Sequence, residues 1–369
     1  MKIALITDQH FGVRNDSTQF HNYYEKFYSE VFFPTLEERG IKDIIELGDI
    51  FDRRKYINFD SLKRCNDYFF GPIYGKGINL HCIVGNHDTY FKNTNAVNAP
   101  YLLLGWMKDK WPCPKNDYIL NTSEMWVHAH PSNDFDFDGC KIMFMPWINS
   151  SNYDYAMHTI KNSNADVCMG HLELSGFEMY KGTKIDSGMS HATFGKFDMV
   201  MSGHFHHKSS KDNIHYLGAP YEMTWSDYDD DRGFHIFDTK TRELEYIKNP
   251  YSMFHKVFYD DSNEDNIHAS IKEDHGHLKD TFIKIVVKNK DNPYLFDLFV
   301  DSINQANPCH VQIVEDNLRL DMENADDIIN EAEDTATIVN KYIDSLNLPA
   351  PKPVHDLFYD LYSEAISNE

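Results

Sequence analysis

Ile78-Asn79-Leu80-His81-Cys82-Ile83-Val84 runs directly into Gly85-Asn86-His87-Asp88. A short apolar run that stops at a glycine and then presents an amide, an imidazole and a carboxylate reads as a buried strand delivering polar groups to the rim of a sheet. Metal-dependent chemistry is commonly placed on such a rim. A single Asn-His-Asp turn is explained more simply by side chains that satisfy their own backbone, so the tetrapeptide needs company before it carries function.

The company is present. Lys2-Ile3-Ala4-Leu5-Ile6-Thr7 runs into Asp8-Gln9-His10, and Asp43-Ile44-Ile45-Glu46-Leu47 runs into Gly48-Asp49-Ile50-Phe51-Asp52. Asp166-Val167-Cys168-Met169 ends at Gly170-His171, and Phe197-Asp198-Met199-Val200-Met201-Ser202 ends at Gly203-His204-Phe205-His206. Five apolar runs thus each end on Asp, Asn or His, several after a glycine expected to let the backbone turn sharply. One such cluster arises easily by chance; five at strand ends do not.

The set D-x-H, G-D-x-x-D, G-N-H-D, G-H and G-H-x-H resembles the calcineurin-like metallophosphoesterase superfamily, and all five blocks are complete. The resemblance implies that Asp8, His10, Asp49 and His206 hold one metal ion and that Asp49, Asn86, His171 and His204 hold a second, with Asp49 bridging. The residue types suit that chemistry, because a carboxylate can span two cations and neutral imidazole with carbonyl oxygen suits borderline ions. Two cations roughly 3.5 to 4 Å apart can clamp a phosphodiester and lower the pKa of a water. His87 is the imidazole left over from ligation. It is the candidate for protonating the leaving oxygen or steadying the charged transition state. Asp52 and Asp88 are read as carboxylates that orient imidazoles from outside the ligand set.

With 369 residues, 41% hydrophobic and 14% aromatic, the chain can bury one large core and a smaller one. No apolar stretch approaches the ~20 residues of a membrane span, and the N-terminus opens on a strand instead of a signal sequence. The expectation is a cytoplasmic protein without a membrane partner. Cys65, Cys82, Cys113, Cys140, Cys168 and Cys309 lie far apart with no C-x-x-C spacing, as small buried hydrophobes in a reducing compartment do. The net charge of -23 argues against coating nucleic acid by bulk electrostatics. It is uneven, since residues 251 to 369 hold 24 acidic against 9 basic residues. Arg53-Arg54-Lys55, with Lys63 and Arg64 close behind, follows directly on the second motif. A solvated helix face with counter-charges and a grip on a phosphate backbone both account for it.

Along the chain, Phe20, Tyr23, Tyr24, Phe27, Val31, Phe32 and Leu36 recur at helical spacing up to Gly40. Strands are expected over 42–47, 78–84, 117–120, 126–129, 140–146, 166–169, 197–202, 213–217, 233–238 and 243–248, with helices near 60–70, 97–110 and 152–162. Strands alternating with helices, then several short strands, suggest a layered α/β domain in which two sheets pack face to face between helices. Beyond Pro250, Thr281 to Val287, Pro293 to Gln305 and Cys309 to Val314 read as a small β-α-β unit, a candidate cap. Seven acidic residues fall between 321 and 334, Pro349 to Pro353 forms a stiff break, and Leu357, Phe358, Leu361 and Tyr362 then share one helical face. Such a helix either docks on its own domain or binds a partner.

Gly48-Asp49-Ile50-Phe51-Asp52-Arg53-Arg54-Lys55, Gly170 to Phe177, Tyr180-Lys181-Gly182 and Asp231-Arg232-Gly233-Phe234 narrow the resemblance to SbcD-type DNA repair nucleases, nearest to the small subunits of tailed-phage recombination endonucleases. It implies a four-layer αββα sandwich over residues 1–250, a small α+β DNA-binding cap over 251–318, and over 319–369 an acidic linker with C-terminal partner-binding helices. It further implies exo- and endonuclease action on DNA double-strand ends and single strands, with two divalent metal ions, manganese first and magnesium or zinc as alternatives. The partners implied are a second copy in a homodimer and an SbcC-type coiled-coil ATPase that binds Leu357, Phe358, Leu361 and Tyr362. Arg53, Arg54 and Lys55 would contact DNA. Asp52 departs from the pattern, standing where some cellular members carry a second catalytic His, and the acidic tail lacks the basic extension of eukaryotic relatives. A free-standing metallophosphodiesterase of small phosphoesters would use the same five blocks but has no need of residues 251–369. A non-catalytic scaffold for the ATPase has no need of the intact ligand set.

Overall fold

A computed structural model describes residues 1–104, 125–180, 183–184 and 188–315. Apolar runs buried on both faces become adjacent parallel strands. Lys2–Ile6, Asp43–Glu46, Asn79–Ile83 and Met125–His128 lie side by side in that order, and Gly233–Asp238 and Leu244–Lys248 extend the sheet antiparallel beyond Lys2–Ile6. A second six-stranded sheet has the order Ser209–Lys211, Ile214–Tyr216, Met199–Gly203, Val167–His171, Cys140–Met145, Ser132–Phe137.

The period of two along each strand decides the layers. Ile3, Leu5, Ile45 and Ile83 face Ile142, Phe144, Val167 and Met201 in the core between the sheets. The alternate residues Ala4, Ile6, Ile44 and Leu80 pack outward on the aromatic helix of Phe20, Tyr24 and Phe27. On the far side Met143, Cys168 and Val200 pack on Ala156 and Ile160 of helix Tyr153–Asn162. Each fully buried Leu, Ile or Phe stabilises such a core by roughly 1.5–3 kcal/mol. The result is helix, sheet, sheet, helix: the expected αββα sandwich.

The first helix runs from Thr18 to Phe27, passes through a π-helical turn Tyr28–Phe32 and continues to Glu38. The π turn advances the buried face, so Tyr28, Phe32 and Phe33 enter the core alongside Phe27. Gly40, at φ 64°, ends it as expected. Asn58 caps the next helix by accepting from Asp60 N–H at 2.8 Å.

The helix expected near 97–110 starts later than expected, and residues 105–110 lie outside the described residues. Thr89–Phe91 and Thr94–Asn98 pair as a hairpin before a helix over Ala99–Leu104. Asn98 makes the switch, since its Oδ1 accepts from Tyr101 N–H at 2.8 Å. Strand Ser132–Phe137 is also additional: it lies at the edge of the second sheet, and with only Phe135 and Phe137 apolar it gives little hydrophobic signal.

The cap holds more than a β-α-β unit. Phe254–Asp260, Phe282–Asn289 and His310–Glu315 form a fully parallel sheet, joined through helices Glu264–Ile271 and Pro293–Asn304. The first strand escapes a hydrophobicity reading because His255, Lys256 and Asp260 interrupt it. The Glu222 carboxylate accepts the Met253 and Phe254 N–H groups at 2.5 and 2.9 Å, and Phe20 and Trp225 pack on Phe254. Among the described residues no helix is long and apolar enough to cross a membrane. The expected strand at 117–120, the acidic stretch, and the terminal helix with Leu357, Phe358, Leu361 and Tyr362 lie outside the described residues.

Candidate metal centre

Parallel strands put their C-terminal ends on one edge. Thr7 to His10 follow Lys2–Ile6, Leu47 to Asp49 follow Asp43–Glu46, and Val84 to His87 follow Asn79–Ile83; His171 closes Val167–His171, and His204 follows Met199–Gly203. Two triads result. Asp8, His10 and His206 each offer one ligand atom within 4.8 Å of the others, and so do Asp49, His171 and His204. In the first, His10 Nε2 and His206 Nε2 stand 3.1 Å apart. In the second, Asn86 Oδ1 lies 2.9 Å from His171 Nε2 and 3.0 Å from His204 Nδ1. Asp49 Oδ2 is 3.2 Å from His171 Nε2 and 3.9 Å from His10 Nε2, so one oxygen reaches toward both triads.

The backbone is bent to make this possible. Asp8, His10, Asp49 and His204 have φ of 52°, 44°, 60° and 89°, each costing roughly 1–2 kcal/mol. Hydrogen bonds over-determine these turns: Asp8 N–H donates to Gly48 O at 2.9 Å, His10 N–H to Asp49 O at 3.0 Å, and His204 N–H to both Asp8 carboxylate oxygens at 3.1 Å. The glycines serve mainly close approach, contrary to the expectation of sharp turns. Gly48 is left-handed (φ 106°), but at Gly85 a Cβ would meet Asp49 Oδ1 at 2.1 Å, and at Gly203 it would meet Thr7 Oγ1 at 1.9 Å. The turning falls instead on the functional residues.

The donor set calls for cations. Asp8, Glu46, Asp49 and Asp88 are all buried, and uncompensated buried carboxylates are costly. Burial raises the pKa of Asp8, drives Glu46 well up, and lifts Asp88 to about 7. Asp49 is the exception: burial pushes it up, but His171, His87 and His10 hold it well below the usual carboxylate range. His171 Nδ1–H donates to Leu47 O at 2.8 Å, which turns Nε2 toward the oxygens of Asn86 and Asp49. Two facing oxygens require a positive centre there, a proton or a metal ion. Burial opposes a proton on His171, yet Asp49 and Asp8 outweigh it and raise the pKa to about 9. Carboxylate, imidazole and amide oxygen together suit borderline divalent ions, so the residues fit such a group.

Comparison with known proteins agrees. The pattern described as calcineurin-like phosphoesterase matches residues 1–208. The chain belongs to the calcineurin-like phosphoesterase family. Members use divalent metal ions, and this protein is a metal-dependent phosphoesterase. It is 35% identical over 259 residues to exonuclease subunit 1 of Enterobacteria phage T4, covering 70% of this chain and 71% of that protein. A solved structure described as a novel archaeal phosphodiesterase shows 14% identity with a TM-score of 0.33, over 68% of this chain and 100% of that one. A likeness of that size carries no argument.

Around the phosphoesterase centre, supporting residues divide differently from expectation. Asp88 does not orient a ring: its carboxylate accepts the N–H groups of Gly85 and Asp49 at 2.9 Å, Ile50 at 3.0 Å and Phe51 at 3.3 Å. It stitches two strand-end loops together, which no spacing in the sequence indicates. Asp52 does meet imidazoles, with Oδ1 3.7 Å from His10 Nδ1 and its carbonyl accepting from His87 Nδ1–H at 2.7 Å. His87 N–H also donates to Asp49 Oδ1 at 2.7 Å.

The basic cluster is split. Arg53 pairs with Asp16 at 2.7 Å and donates to Asn15 at 2.9 Å. Lys63 and Arg64 pair with Asp67 and Asp60 one turn away, as a solvated helix face does. Arg54 is half-buried and Lys55 is exposed. Arg232, quoted above only as part of a motif, proves to be a brace. It pairs with Asp227 and Asp230 at 2.8 Å and donates to the carbonyl of His206. Trp147, unremarked in the sequence, stands with its ring 5.2 Å from that of His204; an isolated Trp after a strand gives no signal.

Proposed function

We propose that this phosphoesterase is the nuclease subunit of a DNA-end-processing complex, cutting phosphodiester bonds at double-strand ends and in single strands. The carrying observation is Asp49 Oδ2 within reach of ligands in both triads, supported by a relative named an exonuclease subunit. Asp8, His10 and His206 would hold one cation, and Asn86, His171 and His204 the other, with Asp49 shared; manganese is the proposed metal. When bound, a metal pair stabilises the attacking and leaving oxygens of an in-line displacement. His87, with Nδ1–H fixed on the Asp52 carbonyl, keeps Nε2 to carry a proton to the leaving oxygen. Glu46 and Asp88 are buried and bond the backbone of the strand-end loops, a supporting role.

Contact with DNA is supported by the cap. Lys256 and Lys284 are directly opposite in register, with ammonium groups over Tyr228 and Trp225 at 4.8 and 4.3 Å. Like charges so placed repel unless an anion joins them, and Lys55 offers a further exposed cation. Assembly as a homodimer is supported by an apolar surface of Tyr56, Phe59, Tyr90, Val97 and Leu102, where Phe59 is 88% exposed. A further subunit is supported by the word subunit in the relative's name, and the partner proposed for that place is an SbcC-type ATPase.

With manganese, the wild type is expected to hydrolyse both a small aryl phosphodiester and linear duplex DNA. Alanine at Lys55, Lys256 and Lys284 together should slow DNA cleavage about tenfold or more while sparing the aryl ester, since backbone grip and metal chemistry are separable. A wild type that takes the aryl ester but never DNA, with or without an ATPase partner, points to a free-standing phosphodiesterase instead.

A further inference from the structure

A cavity of about 390 Å³ opens beside the second triad, lined by Trp147, Ile148, Tyr153, Leu172, Glu173 and Met189 among others, a size typical of small-ligand sites. Trp147 belongs to both places, since its ring lies 5.2 Å from that of His204 and 6.3 Å from that of His171. Its backbone is clamped. The N–H donates to Val84 O at 2.8 Å, and the carbonyl accepts from Asn95 and Asn152, both at 2.9 Å. Asn149 completes that network by donating to Asn95 Oδ1 at 2.8 Å. Three buried asparagines are therefore committed to placing one tryptophan, whose side chain is still only half-buried. Tyr153, 49% exposed, also lines the cavity. Glu173 Oε2 lies 3.9 Å from His204 Nε2, and among the described residues no donor lies within hydrogen-bond distance of that carboxylate.

A flat aromatic surface held rigidly, apolar walls and one open carboxylate acceptor match one part of a nucleotide. We infer that this cavity takes the nucleobase next to the scissile phosphate, stacked on Trp147 with an amino-bearing edge on Glu173. The inference rests on the phosphodiesterase reading of the triads and adds the form of the substrate. A base inside a duplex is paired and stacked and cannot enter, so the nucleotide being cut is single-stranded or frayed from its partner strand. Adenine, cytosine and guanine present an exocyclic amino group to a carboxylate; thymine presents O4 in its place.

The test is single-turnover cleavage by the full chain with manganese, on single-stranded oligonucleotides that differ by one abasic residue, placed on either side of the cut bond in turn. Wild type is expected to cut the base-bearing strand about tenfold faster or more, the size of one base–aromatic stack. Trp147→Ala should erase that difference, Trp147→Phe should retain most of it, and Tyr153→Ala, on the exposed wall, should diminish it. Glu173→Gln should narrow the preference for adenine over thymine. A wild type indifferent to the abasic residue, or a difference that survives in Trp147→Ala, overturns the inference. If neither strand is cut, the reading of function fails. The cavity is then judged by tryptophan-fluorescence titration with deoxyadenosine monophosphate against deoxyribose 5-phosphate, where equal binding overturns it.

Discussion

Asp88 is buried among carboxylates yet makes four hydrogen bonds to backbone N–H groups, and it shows which residue roles a sequence conceals. The proposed ligands are legible because each lies at, or within a few positions of, the end of one of five strands. The roles of Asp88, Arg232 and Trp147 depend on contacts that the fold makes between distant segments, so spacing carries no trace of them. His87 occupies the boundary. Its type and position mark it, but its carbonyl partner at Asp52 appears only in three dimensions. His87→Ala should therefore leave metal affinity close to wild type and lower turnover by about 10²- to 10⁴-fold, the usual contribution of a positioned acid. Calorimetric titration with manganese beside a rate measurement separates the two; loss of metal binding in this variant reassigns His87 as a ligand.

Elements with strong periodicity were readable: the aromatic helix from Phe20, the five site-bearing strands and helix Tyr153–Asn162. The hairpin of 89–98 and the first cap strand were not: the hairpin buries polar Thr89, Asn95 and Asn98 and exposes Tyr90, Phe91 and Val97, and His255, Lys256 and Asp260 interrupt the cap strand, whose stability comes from tertiary burial of residues such as Tyr259. One element carries an acid sensitivity. His81 on strand Asn79–Ile83 and His128 on the neighbouring strand are buried, 3.0 Å apart, and stacked on Trp126 and Phe144. Burial depresses both pKa values to about 3. A depressed histidine contributes stability that is present above its unfolded pKa of about 6.5 and is lost as pH falls toward 3. Each ring should steepen acid destabilisation by roughly 1.4 kcal/mol per pH unit within that window. Denaturant melts of His81→Phe/His128→Phe at pH 4.5 to 7 should show a shallower slope than wild type; equal slopes mean that the rings are solvated or charged in the native state.

At the scale of the molecule, two sheets are pressed together so that strand ends separated by almost 200 positions meet, His10 Nε2 and His206 Nε2 at 3.1 Å. The layer order was legible from the alternation of strands and helices, but the exposed apolar surface around Phe59 was not, since Phe59 and Leu102 belong to different elements. If that surface joins two copies, Phe59→Asp with Leu102→Asp should convert a dimer into a monomer in sedimentation velocity, while metal binding is kept. A wild type that sediments as a monomer removes the argument for a dimer through this face. The central claim is that two cations share Asp49. Manganese titration by calorimetry with metal analysis tests it most directly: wild type should hold two ions per chain, and Asp49→Ala should weaken both sites together. One ion in the wild type, or an Asp49→Ala protein that keeps one site at full affinity, would contradict it.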